Sequence, residues 1–402
     1  MRRLIVGGVL LLFFASCVFA QDAADRAAEA KLHFGPLSLS PALSLANAGI
    51  DTNVFYESDP LTPKRDFTIT FEPKTDWWLR TGRTWLLGTV VEDFVYYNTY
   101  ASERSVNDFA KIGWLVPLNR LTFQIDASYL STRDRPGFEI DARSQRYETG
   151  FDGRLEIRAF SKTFIGLSGR KLKVDYDKAA IFLDSKLRFE LNRTVTTGAL
   201  TVRHELTPLT SLTFDVAKEE ARFQYSPGRD ADSTEITAGV KFDPMALLKG
   251  SATFGYRDLE PRSSDVPKYR GSTAAVDLTY VALSVTKLTL KGTRDVQDSY
   301  EFNQPYYVQT AVSGELVQRI FGPVDLVGRA GIARLDYRDR TGAPIATADR
   351  TDYVHMYGGG IGYHVGHDMR VGFNIDQQKR ESSIAIRQYD GLRYGTSITY
   401  GF

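Results

Sequence analysis

The groups with the most chemistry to offer in this chain are charged residues that recur at every second position of apolar segments. They are Asp126, Arg154, Glu156, Arg158, Arg188, Glu190, Asp215, Asp277, Lys291, Arg370, Asp376 and Arg393. Asp126 stands among Leu121, Phe123, Ile125, Ala127 and Tyr129, and Arg154 and Glu156 among Phe151, Gly153, Leu155 and Ile157. Asp277 stands beside Val276 and Leu278, and Arg370 and Asp376 flank Val371, Phe373 and Ile375. Successive side chains of a strand point to opposite faces, so each segment has one apolar and one charged wall. A wall carrying both signs can pair its charges across strands, each pair contributing little. It can also offer a track to a polar, hydroxyl-rich or charged polymer, because planar Arg forks suit carboxylates. Both readings stay open from sequence.

Motifs for catalysis or metal binding are weak. His364-Val-Gly-His367 has a spacing that suits a helix face, yet it sits where a strand runs into a turn, so no metal site is expected. His204 and Glu205 read as a polar pair near a turn. Gly358-Gly-Gly-Ile-Gly362 lacks the following helix of a dinucleotide fingerprint and reads as small residues where something approaches a strand closely. No Ser–His–acid arrangement is present to defend an enzyme. The expectation is no catalytic residue, no metal and no cofactor.

The elements that position the charged wall are strands from about residue 37 to the end. Short links such as Thr81-Gly-Arg83, Pro117-Leu-Asn119, Gly322-Pro323 and Gly366-His-Asp368 alternate with long polar ones such as Arg135–Gln145, Tyr176–Lys186 and Arg338–Arg350. Short turns at one end and long loops at the other characterise outer-membrane barrels. Nine long loops imply nine hairpins, so about 18 strands, with 16 as the alternative. Leu187, Phe189 and Leu191 alternate with Arg188 and Glu190 and read as one such strand. The apolar parity then shifts, which predicts a β-bulge near Thr194–Gly198. The last strand, Leu392 to Phe402, has Ile398, Tyr400 and Phe402 on its apolar face and resembles the C-terminal signal read by the barrel-assembly machinery.

The fold expected is therefore all-β, a single closed antiparallel transmembrane barrel over 37–402. A soluble sandwich also alternates, but one of this length needs several domains and no linker is visible. Closure instead pairs every backbone group and leaves no edge. Trp77, Trp78, Trp85, Tyr96, Tyr97, Tyr280, Tyr363 and Tyr400 fall near strand ends, as interface girdles of aromatics do. Residues 1–20 read as a signal peptide, with Arg2 and Arg3, an apolar Leu4 to Phe14, and cleavage after Ala20. The competing reading is a lipoprotein cleaved before Cys17, the one cysteine of the chain. Residues 21–36 are a periplasmic lead-in. Net charge is +1, which argues against a nucleic-acid partner. The expected location is the outer membrane, with its lipid and the assembly machinery as partners.

Gly49, Asp51, Asn53, Val54 and Phe55, followed by Phe67-Thr-Ile-Thr-Phe-Glu-Pro73, resemble the first two strands of the bacterial putative β-barrel porin 2 family. The resemblance extends over roughly residues 37–402 as layout. It implies a porin-like channel, export of exopolysaccharide or passage of other polar solutes, and partnership with periplasmic polysaccharide-export components. The alternative is a structural or adhesive barrel acting through its loops with a closed lumen.

Overall fold

A computed structural model describes residues 20–243, 246–283, 285–343 and 350–401. The leader residues Arg2, Arg3, Leu4 to Phe14 and Cys17, and Phe402 of the assembly signal, lie outside these residues. In chain order the elements are α1 (Ala20–Ala28), β1 (Leu32–Phe34), β2 (Leu37–Asp51), β3 (Asp66–Thr81), β4 (Thr84–Tyr97), β5 (Ser105–Pro117), β6 (Leu121–Thr132), β7 (Arg146–Arg158) and β8 (Thr163–Tyr176). A loop holding β9 (Ile181–Phe182), β10 (Ser185–Lys186) and α2 (Leu187–Leu191) follows. The remainder is β11 (Arg193–Thr207), β12 (Thr210–Phe223), β13 (Ala231–Phe242), β14 (Leu248–Pro261), β15 (Tyr269–Ala282), β16 (Thr286–Asp298), β17 (Tyr306–Phe321), β18 (Val324–Arg338), β19 (Thr351–Val365), β20 (Met369–Glu381) and β21 (Tyr389–Tyr400).

Strands β2 to β8 and β11 to β21 each pair antiparallel with their sequence neighbours, and β21 returns to β2 with Leu43 opposite Tyr400 and Asp51 opposite Arg393. The result is a closed 18-stranded barrel. No helix among the described residues is long and apolar enough to cross a membrane. The apolar parity of the strands forms an exposed outer belt that includes Phe71, Phe94, Ile112, Phe151, Leu200, Phe214, Ile361 and Phe373. In water such a belt would be costly, whereas in hydrocarbon it is solvated. Short turns bring strands back at one end, and Gly82 and Gly322 adopt φ of 63° and 53° in two of them, a region open to glycine without a Cβ penalty.

Two expectations are corrected. Leu187–Leu191 is the short helix α2, not a strand, so Arg188 and Glu190 stand in a loop. No bulge occurs near Thr194–Gly198: β11 keeps unbroken register there with both β8 and β12. The parity change follows from leaving a helical turn and entering a strand at Arg193. The register break of the first strand lies instead at Ala46–Gly49, where Asn47 has φ of 55°, a conformation that Asn tolerates better than most residues.

The lead-in folds back onto the short-turn end. Ala23 and Ala27 of α1 pack on Trp85 and Leu115, with Trp78 and Leu87 against the cluster. β1 pairs with the start of β2, with Leu32 opposite Leu39.

Candidate functional site

The face opposite the apolar belt is an ion-pair lattice. Asp126 accepts from Gln124 at 2.9 Å and lies 3.6 Å from Lys111. Glu156 takes Arg203 through two bonds, at 2.8 and 3.3 Å. Asp215 accepts from the Thr201 hydroxyl at 2.5 Å, and Asp277 lies 3.6 Å from Lys291 directly across the β15–β16 pair. Arg370 grips Asp325 at 2.6 and 2.7 Å, Asp376 accepts from Arg329 at 2.6 Å, and Arg393 donates to Asp51 at 2.6 Å. Arg154 lies on β7 two residues from Glu156, and Arg158 ends that strand with its guanidinium 5.1 Å from the Phe164 ring. Arg188 and Glu190 do not join this wall; Arg188 donates to the Tyr225 hydroxyl at 2.6 Å and Glu190 lies 3.0 Å from Arg229.

Several hubs of the lattice escape a reading of sequence. Arg257 contacts Glu219, Glu235 and Asp295 at 3.1, 2.8 and 3.1 Å, joining β12, β13, β14 and β16. Arg329 joins Glu315, Asp376 and the Asn374 amide oxygen. Such partners lie tens of residues apart in the chain, and only barrel register brings them together.

The most consequential residues are in the 133–145 loop between β6 and β7. The loop reaches the far wall of the ring. Phe138 buries its ring in a cluster of Tyr307, Ala311, Ala333, Leu335, Tyr337 and Val354, from β17, β18 and β19. Ile140 enters a second cluster with Phe182, Leu187 and Tyr300 from two other loops. Arg380 of β20, wholly buried, donates to the Phe138 carbonyl at 2.7 Å and the Glu139 carbonyl at 3.2 Å. Its carboxylate partners are Asp352 and Asp141, the latter also 3.0 Å from Arg387. Glu139 accepts from the Ser299 hydroxyl at 2.6 Å and the Tyr300 amide at 3.2 Å. Burial pushes its carboxyl up to about 7, against these hydrogen bonds and the nearby Arg387 and Arg350. The signal for this loop was present in the sequence as two large apolar residues, Phe138 and Ile140, inside an otherwise polar connection.

The glycine run of β19 makes room for these charges. A Cβ at Gly358 would overlap the Asp376 carboxylate, one at Gly360 would stand 2.6 Å from the Asn374 amide oxygen, and one at Gly362 would overlap Arg370. His364 lies 2.7 Å from Asp325, beside Arg370. His204 pairs with the Thr163 hydroxyl at 3.0 Å while Glu205 pairs with Arg203 at 2.9 Å, so the two are not partners of one another. Of the aromatic residues expected in girdles, Tyr96, Tyr280, Tyr363 and Tyr400 are exposed outward, whereas Trp85 and Tyr97 are buried.

A family model described as Putative beta-barrel porin 2 matches residues 39–402. The chain belongs to that family. This places it among porin-like barrels of the outer membrane. A search of curated proteins returned no match. Similar solved structures include Pseudomonas aeruginosa OccK2 (OpdF) in complex with glucuronate, at 10% identity and TM-score 0.48, covering 90% of this chain and 97% of that one. A BenF-like porin from Pseudomonas fluorescens Pf-5 matches at 11% identity and TM-score 0.48, covering 90% and 98%. A bacterial polysaccharide outer membrane secretin matches at 10% identity and TM-score 0.34, covering 90% and 98%.

Proposed function

We propose that this porin 2 family member is a gated conduit for polar, hydroxyl-rich solutes, with exopolysaccharide export as its task and the 133–145 loop as its gate. The observation that carries the reading is the docking of Phe138 on the far wall of β17–β19. The loop is held by Phe138, Ile140, the Glu139 hydrogen bonds and the Arg380 and Arg387 contacts, none of which is a strand pair, so it can leave without unmaking one. Below it, the lattice of Arg and carboxylate side chains offers charge and hydrogen bonds in both signs, which suits a hydroxyl-rich chain better than a solute of one charge. Periplasmic polysaccharide-export components and the barrel-assembly machinery are the partners this role calls for, and no catalytic step is invoked.

The test is current block. With the loop undocked, uncharged and uronic oligosaccharides added on the periplasmic side should interrupt single-channel current in a length-dependent way. Open channels that ignore every oligosaccharide would remove the polysaccharide assignment. The same plug favours a second reading, a closed barrel that acts through its outer loops; that reading requires permeability to stay unchanged when the loop is removed.

A further inference from the structure

The barrel wall is not zipped to its outer rim everywhere. β15 and β16 pair only from Ala274 opposite Arg294 down to Ala282 opposite Thr286. Above that, residues 269–273 of β15 pair with β14 alone, and residues 295–298 of β16 pair with β17 alone. Every other neighbouring pair is bonded up to within one residue of the outer end of at least one of its two strands. The seam stands at the upper margin of the apolar belt, flanked on the outer face by the exposed Arg270–Asp258 pair, and buried backbone left unpaired there is costly unless other groups satisfy it. Here one side-chain hydrogen bond meets the backbone on each free edge. The Val296 amide donates to Asp295 at 2.8 Å, and the Tyr269 hydroxyl donates to the Ser272 carbonyl at 2.9 Å. The Tyr269 ring runs along its own strand over Gly271, where a Cβ would stand 2.6 Å from the hydroxyl oxygen.

The gap is lined by apolar groups from both faces of the sheet. Tyr269 shares a buried cluster with Val266, Tyr306 and Val308, against which Leu259 and Val296 pack. In strand parity Leu259 belongs with the inward Arg257, and Val296 and Val308 with the outward set, so they meet only where the wall is parted. The loop after β14 covers the gap, with the Pro267 carbonyl accepting from the Tyr306 hydroxyl at 3.0 Å. On the inner side the gap gives onto a cavity bordered by Arg193 and Arg257 with their partners Asp298, Glu219 and Asp295, by Arg229, and by Val266, Val296 and Tyr306. The upward path is crossed immediately above: Ser299, next in the chain after Asp298, donates to Glu139 of the inward loop.

We propose that the β15–β16 seam is a lateral portal from this cavity to the outer leaflet, and that it passes a single-chain amphiphile with a polar head. The cavity, lined by guanidinium and carboxylate groups alike, takes an uncharged hydroxyl-rich head, the Val266–Tyr306–Val308 cluster takes the tail, and the loop at 262–268 is the flap. The portal rests on the transport reading, since it needs a lumen to empty.

The probe is a dodecyl glycoside carrying a diazirine at the end of its chain, incorporated with the full mature protein into liposomes. Photolabelling should concentrate on peptides containing Val266, Tyr306 and Val308 over peptides of the β4–β5 belt. Closing the seam with Ser272→Cys and Val296→Cys joined by a short bismaleimide should abolish that excess. Val308→Asp, which places a charge in the tail site, should abolish it independently. Single-channel conductance along the barrel axis, recorded with the 133–145 loop released by Phe138→Ala, separates the two proposals. Labelling that disappears on locking while the axial channel is silent keeps the portal and removes axial conduction. Labelling equal to the belt, or unmoved by the lock or by Val308→Asp, overturns the portal whatever the conductance.

Discussion

Arg380 of β20 donates to the Phe138 carbonyl at 2.7 Å, so a residue of one barrel wall holds the backbone of a loop rooted in the opposite wall. The guanidinium is wholly buried and also serves Asp141 and Asp352. Replacing it removes the clasp and leaves Asp141 with Arg387 and Asp352 with Arg350 alone, so the cost is at most the roughly 3 kcal/mol of breaking a buried pair. Arg380→Met should release the 133–145 loop to added protease while the barrel keeps its heat-modifiable migration on gels. Uncleaved loop in the variant would show that Arg380 is no clasp.

Glu139 makes the docking proton-linked. Its carboxyl ionises near 7 when docked, against 4.5 for an ordinary glutamate. The docked loop therefore holds a proton that the free loop gives up between these values. Docking is fullest below about pH 4.5, weakens as pH rises toward about 7, and is constant above, a difference of about 3 kcal/mol at most. Openings should be more frequent at pH 8 than at pH 5. Glu139→Gln should flatten that dependence at the docked level. A pH profile identical in the variant would mean another group is responsible.

The inner glycines of β19 give a test confined to the wall. Gly358→Val forces Asp376 and Arg329 apart, and overpacking of this kind costs roughly 1–3 kcal/mol. Gly328→Ala on the outer face meets nothing within 4 Å and is the control. The first should lower the thermal midpoint of the refolded barrel and the second should leave it in place.

How much of this was legible in the sequence depends on the range of the interactions. Parity along β6, β7, β20 and β21 is set by nearest neighbours, and it placed Asp126, Glu156, Asp376 and Arg393 on the charged wall. Loop length gave the strand number, because each hairpin is local. The segment Leu187–Leu191 misled because five residues with apolar ends fit a strand and one helical turn equally well. Arg257, Arg329 and Arg203 were missed because their partners are fixed by register between strands far apart in sequence. Phe138 was visible as an apolar residue in a polar loop, but its pocket is assembled from three strands about 170 to 215 residues later, which local patterning does not encode.

Removing the anchor isolates the gate from the wall. Phe138→Ala empties the pocket among Tyr307, Leu335, Tyr337 and Val354, and buried Phe→Ala changes cost roughly 3–5 kcal/mol. That loss falls on loop docking, because no barrel strand pair involves Phe138. Tryptic cleavage within 133–145 should rise sharply while the thermal midpoint of the barrel is unchanged.

The most direct measurement is single-channel conductance in planar bilayers of the refolded wild type and of Phe138→Ala, each shown to be a folded barrel, at pH 5. The gated-conduit account predicts rare openings in the wild type and large, sustained openings in the variant. Silence from a folded Phe138→Ala barrel, or equal conductance in the two proteins, would contradict it.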